Sequence, residues 1–209
     1  MIRKIMGLVC LVAVAAMSAP PVMAQEDRDP RFAGLHAGLS RSLARADSSW
    51  STPGTVTGLD MDGAGGSLIL GYSWPLDGLV YGIALDMTVP GAEGLAGAGC
   101  GGTCLARLDR YIALRAQIGQ RVGRGHLYGF AGLALGQFEY ARAGLAQVED
   151  HRTGWLAGIG YEHPMSRGWI LRAEAQVMEF GNRALPLQGG WSASPGRVGL
   201  IRLGFVQYF

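Results

Sequence analysis

Six charged residues stand on alternating, strand-like stretches rather than in loops: Asp86, Arg115, Glu162, Arg172, Glu174 and Arg202. Their types suit ion pairing. Gathered on one side of a sheet they would stack as opposite charges, because a buried charge needs a partner. The sharper alternative is a narrow ion path gated by swapping pairs. Catalysis finds less support. A lipid-hydrolysing site needs a serine with a histidine and an acid in reach, and His36, His126, His151 and His163 are scattered. His36 and Ser40 share a strand face, but four residues along a strand span ~13 Å, too far for a hydrogen bond. The histidines also lack metal-ligand spacing. No catalytic residue, metal or cofactor is expected.

These charges must be positioned by strands. Period-two alternation predicts eight of them, over 32–40, 65–74, 79–89, 111–122, 127–140, 154–162, 169–178 and 201–209. Leu79, Tyr81, Ile83, Leu85 and Met87 oppose Gly82, Ala84 and Asp86; Trp169, Leu171, Ala173 and Ala175 oppose Arg172, Glu174 and Gln176. Three connections are short, at 75–78, 123–125 and 163–168. Four are long, at 41–64, 90–107, 141–152 and 181–196, and rich in Gly, Ser, Pro, Asp and Arg. An up-and-down barrel with short turns at one end and long loops at the other predicts that alternation.

The first 24 residues combine a basic start at Arg3 and Lys4, an apolar run from Leu8 to Met17, and small residues before Gln25. This is the pattern of a cleavable signal peptide, and its run is too short to span a bilayer as a helix. Residues 25–209 then form one domain. Without Arg3 and Lys4 the formal charge falls from +2 to zero, which gives no support to nucleic-acid binding. Outside the cytoplasm the even pair Cys100 and Cys104, in "AGCGGTCLA", favours a disulfide, with free thiols or a metal pair as alternatives. So short a ring would stabilise the fold only at the low end of ~0–5 kcal/mol.

Side-chain chemistry decides which face meets solvent. One face is almost wholly Leu, Ile, Val, Ala, Met and aromatic, without a mid-strand charge; the other mixes Gly, Ser, Thr and Gln with the six charges. An eight-stranded barrel has room inside only for close-packed side chains. The bulky set therefore faces lipid, and the glycines and charges fill the lumen. Ring closure would satisfy every backbone group, as hydrocarbon demands. Trp74, Trp155, Trp169 and Phe209 lie near strand ends, where interfacial aromatic girdles belong. The expected fold is an all-β, eight-stranded antiparallel up-and-down transmembrane β-barrel.

The stretch "GWLAGIGYEHPMSRGWILRAEAQVMEFGN" resembles the penultimate hairpin of the small outer-membrane β-barrels, the OmpA-like transmembrane domain and the alphaproteobacterial porin-family surface proteins. The shared pattern falls on Gly154 and Trp155, Gly158 and Gly160, Glu162, Trp169, Arg172, Glu174, and Gly181-Asn182. The final strand, with Arg202, Gly204 and Phe209, is similar too. The resemblance implies residence in the outer membrane, with a structural or surface-interaction role in the envelope. It also implies that the last strand, at Leu203, Phe205 and Phe209, is read by the outer-membrane assembly machinery, although Gln207 departs from the usual pattern. The expected partners are outer-membrane lipid and lipopolysaccharide, that machinery, and unidentified extracellular molecules at the loops. A narrow channel or transporter, and then a lipid-modifying barrel enzyme, are the alternative functions.

Overall fold

The computed structural model describes residues 30–88, 95–99, 104–142, 146–181, 183–187 and 190–209. The expected signal peptide lies outside them. So does the expected disulfide, since Cys100 and the Cys104 side chain are not among the described groups.

The strands are β1 (Gly34–Thr52), β2 (Thr55–Leu76), β3 (Leu79–Thr88), β4 (Leu95–Gly99), β5 (Cys104–Val122), β6 (Gly125–Arg142), β7 (Val148–Pro164), β8 (Trp169–Glu179), β9 (Leu185–Pro186) and β10 (Ser192–Tyr208). All pairings are antiparallel, in the order β1-β10-β8-β7-β6-β5-β3-β2, and β1 pairs with β2 to close the ring. Eight staves result. β4 pairs with β2 and β5, the two neighbours of β3, so it prolongs the β3 stave. Closure leaves the membrane crossing without an open edge, which is the condition for putting a sheet in hydrocarbon.

Two-residue turns join the staves where the sequence supplies positive φ cheaply. Asp77 (φ 51°) and Gly78 (φ 76°) close β2 to β3, the left-handed pair of a type I′ hairpin. Gly123 (φ 61°) opens the turn between β5 and β6. These turns and the 165–168 connection share one end of the ring with the start of β1 and the end of β10, which by the short-turn rule is the periplasmic end.

The four expected long loops are corrected. Much of their length is strand: β1 and β2 run through 41–64 and meet at the Pro53-Gly54 turn, and β5, β6, β7 and β10 all reach into the other three. Six of the ten strands are 17 to 22 residues long, against the ~9–11 needed to cross a bilayer. The outer parts of the staves therefore stand above the lipid.

Along β1 the apolar face changes sides, while the pleat does not. In β1 the outward residues Leu35, Leu39 and Leu43 give way to Arg45, Asp47 and Ser49, while the inward residues pass from His36 and Ser42 to Ala46 and Trp50. In the outer half the lumen is filled by an apolar core that includes Trp50, Met61, Phe138, Tyr140, Met178 and Phe180. Phe138 sits edge-on to Phe180 at 5.1 Å and stacks near Tyr140 at 6.3 Å. A second expectation is also corrected. Arg41, assigned to a loop, is an exposed outward residue of β1 between Leu39 and Leu43, so the lipid-side face carries a charge.

Phe138→Ala should destabilise the barrel by about 3–5 kcal/mol, the usual loss for a buried aromatic. Leu133→Ala, outward and exposed on the same strand, should cost under about 1.5 kcal/mol. Urea unfolding of both variants in lipid vesicles measures the contrast; equal losses would refute an apolar core in the outer lumen.

Candidate functional site

The inner half of the lumen is polar, and the staves bring the six sequence-predicted charges together there. Asp86 comes from β3, Arg115 from β5, Glu162 from β7, Arg172 and Glu174 from β8, and Arg202 from β10. All face inward, and none is more than 4% exposed. Opposite charges arrive on neighbouring staves because the register sets them there: Glu162 pairs with Arg172 across β7–β8, and Glu174 with Arg202 across β8–β10.

Glu174 is the hub. Its Oε1 accepts from Arg115 Nη2 at 2.6 Å and from the Tyr128 hydroxyl at 2.6 Å, and its Oε2 lies 3.5 Å from Arg202 Nη1. Asp86 lies between two guanidiniums, 3.0 Å from Arg202 and 3.4 Å from Arg115. Arg202 also donates to the Tyr111 hydroxyl and, at 3.0 Å, to Gln176 Oε1. Towards the periplasm Glu162 takes Arg172 Nε at 2.8 Å and Nη2 at 2.5 Å on one oxygen, with His126 Nδ1 3.2 Å from the other. The Tyr208 hydroxyl closes that cluster at 3.1 Å. Three carboxylates meet three guanidiniums, so the layer is neutral, and each charge has an opposite charge within 4 Å. Opposite charges held within 4 Å of one another offset desolvation that isolated buried ions could not withstand.

The cluster fits because glycines face its rings. A Cβ at Gly160 would lie 2.3 Å from Tyr128 Cζ, and one at Gly71 2.4 Å from His36 Nε2. Below the cluster a one-turn 3-10 helix, Pro30–Phe32, carries Phe32 into the mouth. Its ring is fully buried, 5.3 Å from His126 and 6.3 Å from Tyr208.

Sequence reading did not assign roles to Tyr111, Tyr128, Gln176, His126 or Phe32. Tyr208 and Gln176 share parity with the charges on their strands, so their direction was legible. The His126–Glu162 contact depends on the β6–β7 register, which no turn chemistry in the sequence reveals. Among the described residues no serine, threonine or cysteine is hydrogen-bonded to a histidine, and no three metal-ligating side chains gather.

The outward aromatics occupy both rims of the apolar band. Trp74 lies at the turn end, with its ring parallel to Tyr81 at 6.5 Å, and Trp169 sits edge-on to Phe205 at 6.5 Å. Phe209 is outward beside them, and its N–H donates to the Leu35 carbonyl at 2.8 Å. Leu203 and Phe205 point outward above it. Trp155 stands at the opposite rim, paired with Glu179.

Comparison with known proteins gives a consistent picture. Residues 9–196 match the family model described as outer membrane protein beta-barrel domain. The 25 kDa outer-membrane immunogenic proteins of Brucella abortus and Brucella melitensis are each 27% identical over 183 residues, covering 85% of this chain and 80% of theirs. Two solved structures share the fold at 13% identity. OprG from Pseudomonas aeruginosa has a TM-score of 0.58, covering 85% of this chain and 98% of its own. Neisserial surface protein A has a TM-score of 0.51, covering 84% and 97%.

Glu174→Gln removes the hub charge while keeping its shape. It should cost about 3–5 kcal/mol, since it leaves buried guanidiniums short of a partner. Arg197→Gln breaks only the exposed 3.9 Å pair with Glu179 and should cost under about 1 kcal/mol. The midpoint of heat-induced gel-mobility change ranks the two; indistinguishable midpoints would show that the network adds nothing to stability.

Proposed function

The chain belongs to the outer-membrane β-barrel protein family, and from that premise we propose that it is a sealed envelope protein, neither pore nor enzyme, with outer hairpins available for contact. As an integral outer-membrane barrel it places a rigid wall in the bilayer. One observation carries the sealed reading. The lumen is filled by the chain's own side chains: Phe32 at the mouth, six paired charges above it, then the apolar core around Phe138 and Trp50. Conduction would require breaking ion pairs and moving apolar side chains that close-pack an eight-stranded interior.

The surface role is supported by the tall staves. The β1–β2 hairpin carries its Pro53-Gly54 tip well beyond the lipid-facing leucines. Ser49 with Ser194 and Ser51 with Ser192 are bonded at 2.8 and 2.7 Å on that hairpin's seam with β10, a polar sheet surface suited to contacts from outside. The Brucella relatives are named as immunogenic outer-membrane proteins, which fits display of such elements. The non-catalytic reading draws on the histidines: His126 is engaged by Glu162, and His36 lies against Tyr208 at 4.7 Å.

Purified protein in planar bilayers should show no reproducible single-channel steps. Regular steps that disappear in Glu162→Gln would overturn the sealed reading. An epitope inserted between Pro53 and Gly54 should be labelled by antibody on intact cells; labelling only after permeabilisation would reverse the assigned orientation.

A further inference from the structure

Phe32 fills the periplasmic mouth but stands outside the barrel wall. It ends the one-turn 3-10 helix Pro30–Phe32, and β1 begins two residues later at Gly34. The ladder starts above that turn: Gly34 pairs with Ser73 on β2, His36 pairs with Tyr208 on β10, and the Phe209 N–H donates to the Leu35 carbonyl. Swinging the turn away from the mouth therefore breaks no rung. Ala33 and Gly34 form the joint. The φ of 108° at Gly34 suits glycine and strains other residues. A Cβ there would also lie 2.5 Å from the Phe209 carbonyl oxygen.

Two histidines lie behind the ring. Phe32 is 5.3 Å from His126 and edge-on to Tyr208 at 6.3 Å, and Tyr208 is 4.7 Å from the His36 ring. Both histidines are at most 1% exposed. His126 Nδ1 faces Glu162, but among the described residues its Nε2 and both nitrogens of His36 have no hydrogen-bond partner. Buried polar atoms are paired as a rule, with water where the protein offers nothing. Above them the Glu162–Arg172 pair and then the apolar core close the way outward. Water therefore reaches these nitrogens from the periplasm, past Phe32. Two effects oppose each other at this point. Seating the ring removes apolar surface from water, which favours the closed form about ten- to a hundredfold. Withdrawing it gives solvent to three imidazole nitrogens that the wall leaves unpaired.

We propose that Phe32 is a displaceable stopper. The turn swings about Ala33 and Gly34 into the periplasm, and the mouth opens into a polar vestibule lined by His36, His126, Tyr208 and Glu162. The vestibule is blind, and its blind end rests on the sealed reading above. Open, it presents the imidazoles and the Glu162 carboxylate to periplasmic solvent; closed, it withholds them. The two forms differ by so small a factor that both are populated in the folded protein.

The test treats the full-length barrel in detergent with diethyl pyrocarbonate at neutral pH and reads the acylated histidines by mass spectrometry. The reagent needs a free, accessible imidazole nitrogen. His151, exposed on β7, sets the rate for an open site. In the wild-type protein His126 and His36 should label about ten- to a hundredfold more slowly than His151 while the heat-modifiable mobility persists. Phe32→Ala should bring both to within a few-fold of His151. Phe32→Leu, which keeps an apolar side chain in the mouth, should stay close to the wild type. No labelling of His126 and His36 in folded wild-type protein would show a fixed plug and overturn the proposal. So would equal rates in the wild type and Phe32→Ala. In planar bilayers Phe32→Ala should still give no channel steps, because the apolar core closes the outer end. Steps there would overturn the blind end and the sealed reading with it, whereas imidazoles protected in that variant would overturn the stopper alone.

Discussion

The ladder between β1 and β10 is the constraint on which everything else rests. By pairing its first long strand with its last, the chain removes both edges that an open eight-stave sheet would expose to hydrocarbon. Closure also fixes the circumference, and with it the volume inside. Whatever the lumen holds must then match that volume, and the matching is visible at Gly160 under the Tyr128 ring and Gly71 beside His36. Large groups enter from one stave only where the next yields a bare backbone.

Fixed volume shapes the electrostatics as well. No room is left for a wide water column around the charges, so they neutralise one another. Glu174 collects donors from β5, β6 and β10 at once, tying non-adjacent staves through the interior. Asp86 does the same for β5 and β10. These cross-lumen ties supplement the backbone ladder. They also select the inward register, because a one-residue slip of any of these strands would turn a charge into lipid.

Much of this was legible in the residues. The parity of Arg172, Glu174 and Gln176 against Leu171, Ala173 and Ala175 sets the direction of β8, and the turn at Asp77-Gly78 follows from its chemistry. The outer halves of the staves were harder. In "ARADSSWST" the outward residues are polar because they meet water, and the inward ones are small or aromatic because they meet one another. The alternation persists with its sign reversed, and it reads as loop when an apolar lipid face is the template. Arg41 was lost by the same template, since a charge between the outward Leu39 and Leu43 reads as the end of a lipid-facing strand. Cross-lumen partners such as Tyr111 with Arg202 were beyond reach, because they depend on curvature and not on sequence spacing.

The seam has a kinetic consequence. Its partners lie at opposite ends of the strand sequence, as in Leu39 with Phe205 or Trp50 with Ala193, so the contact that completes the ring is among the most distant in the chain. Folding rates fall as such non-local contacts dominate. Every shorter intermediate presents two unpaired edges and a set of outward leucines that only lipid can cover. Insertion must therefore be concerted with closure, or an escort must shield both edges until the final strand docks. The barrel's topology, more than any one side chain, makes the closing seam a contact that forms late.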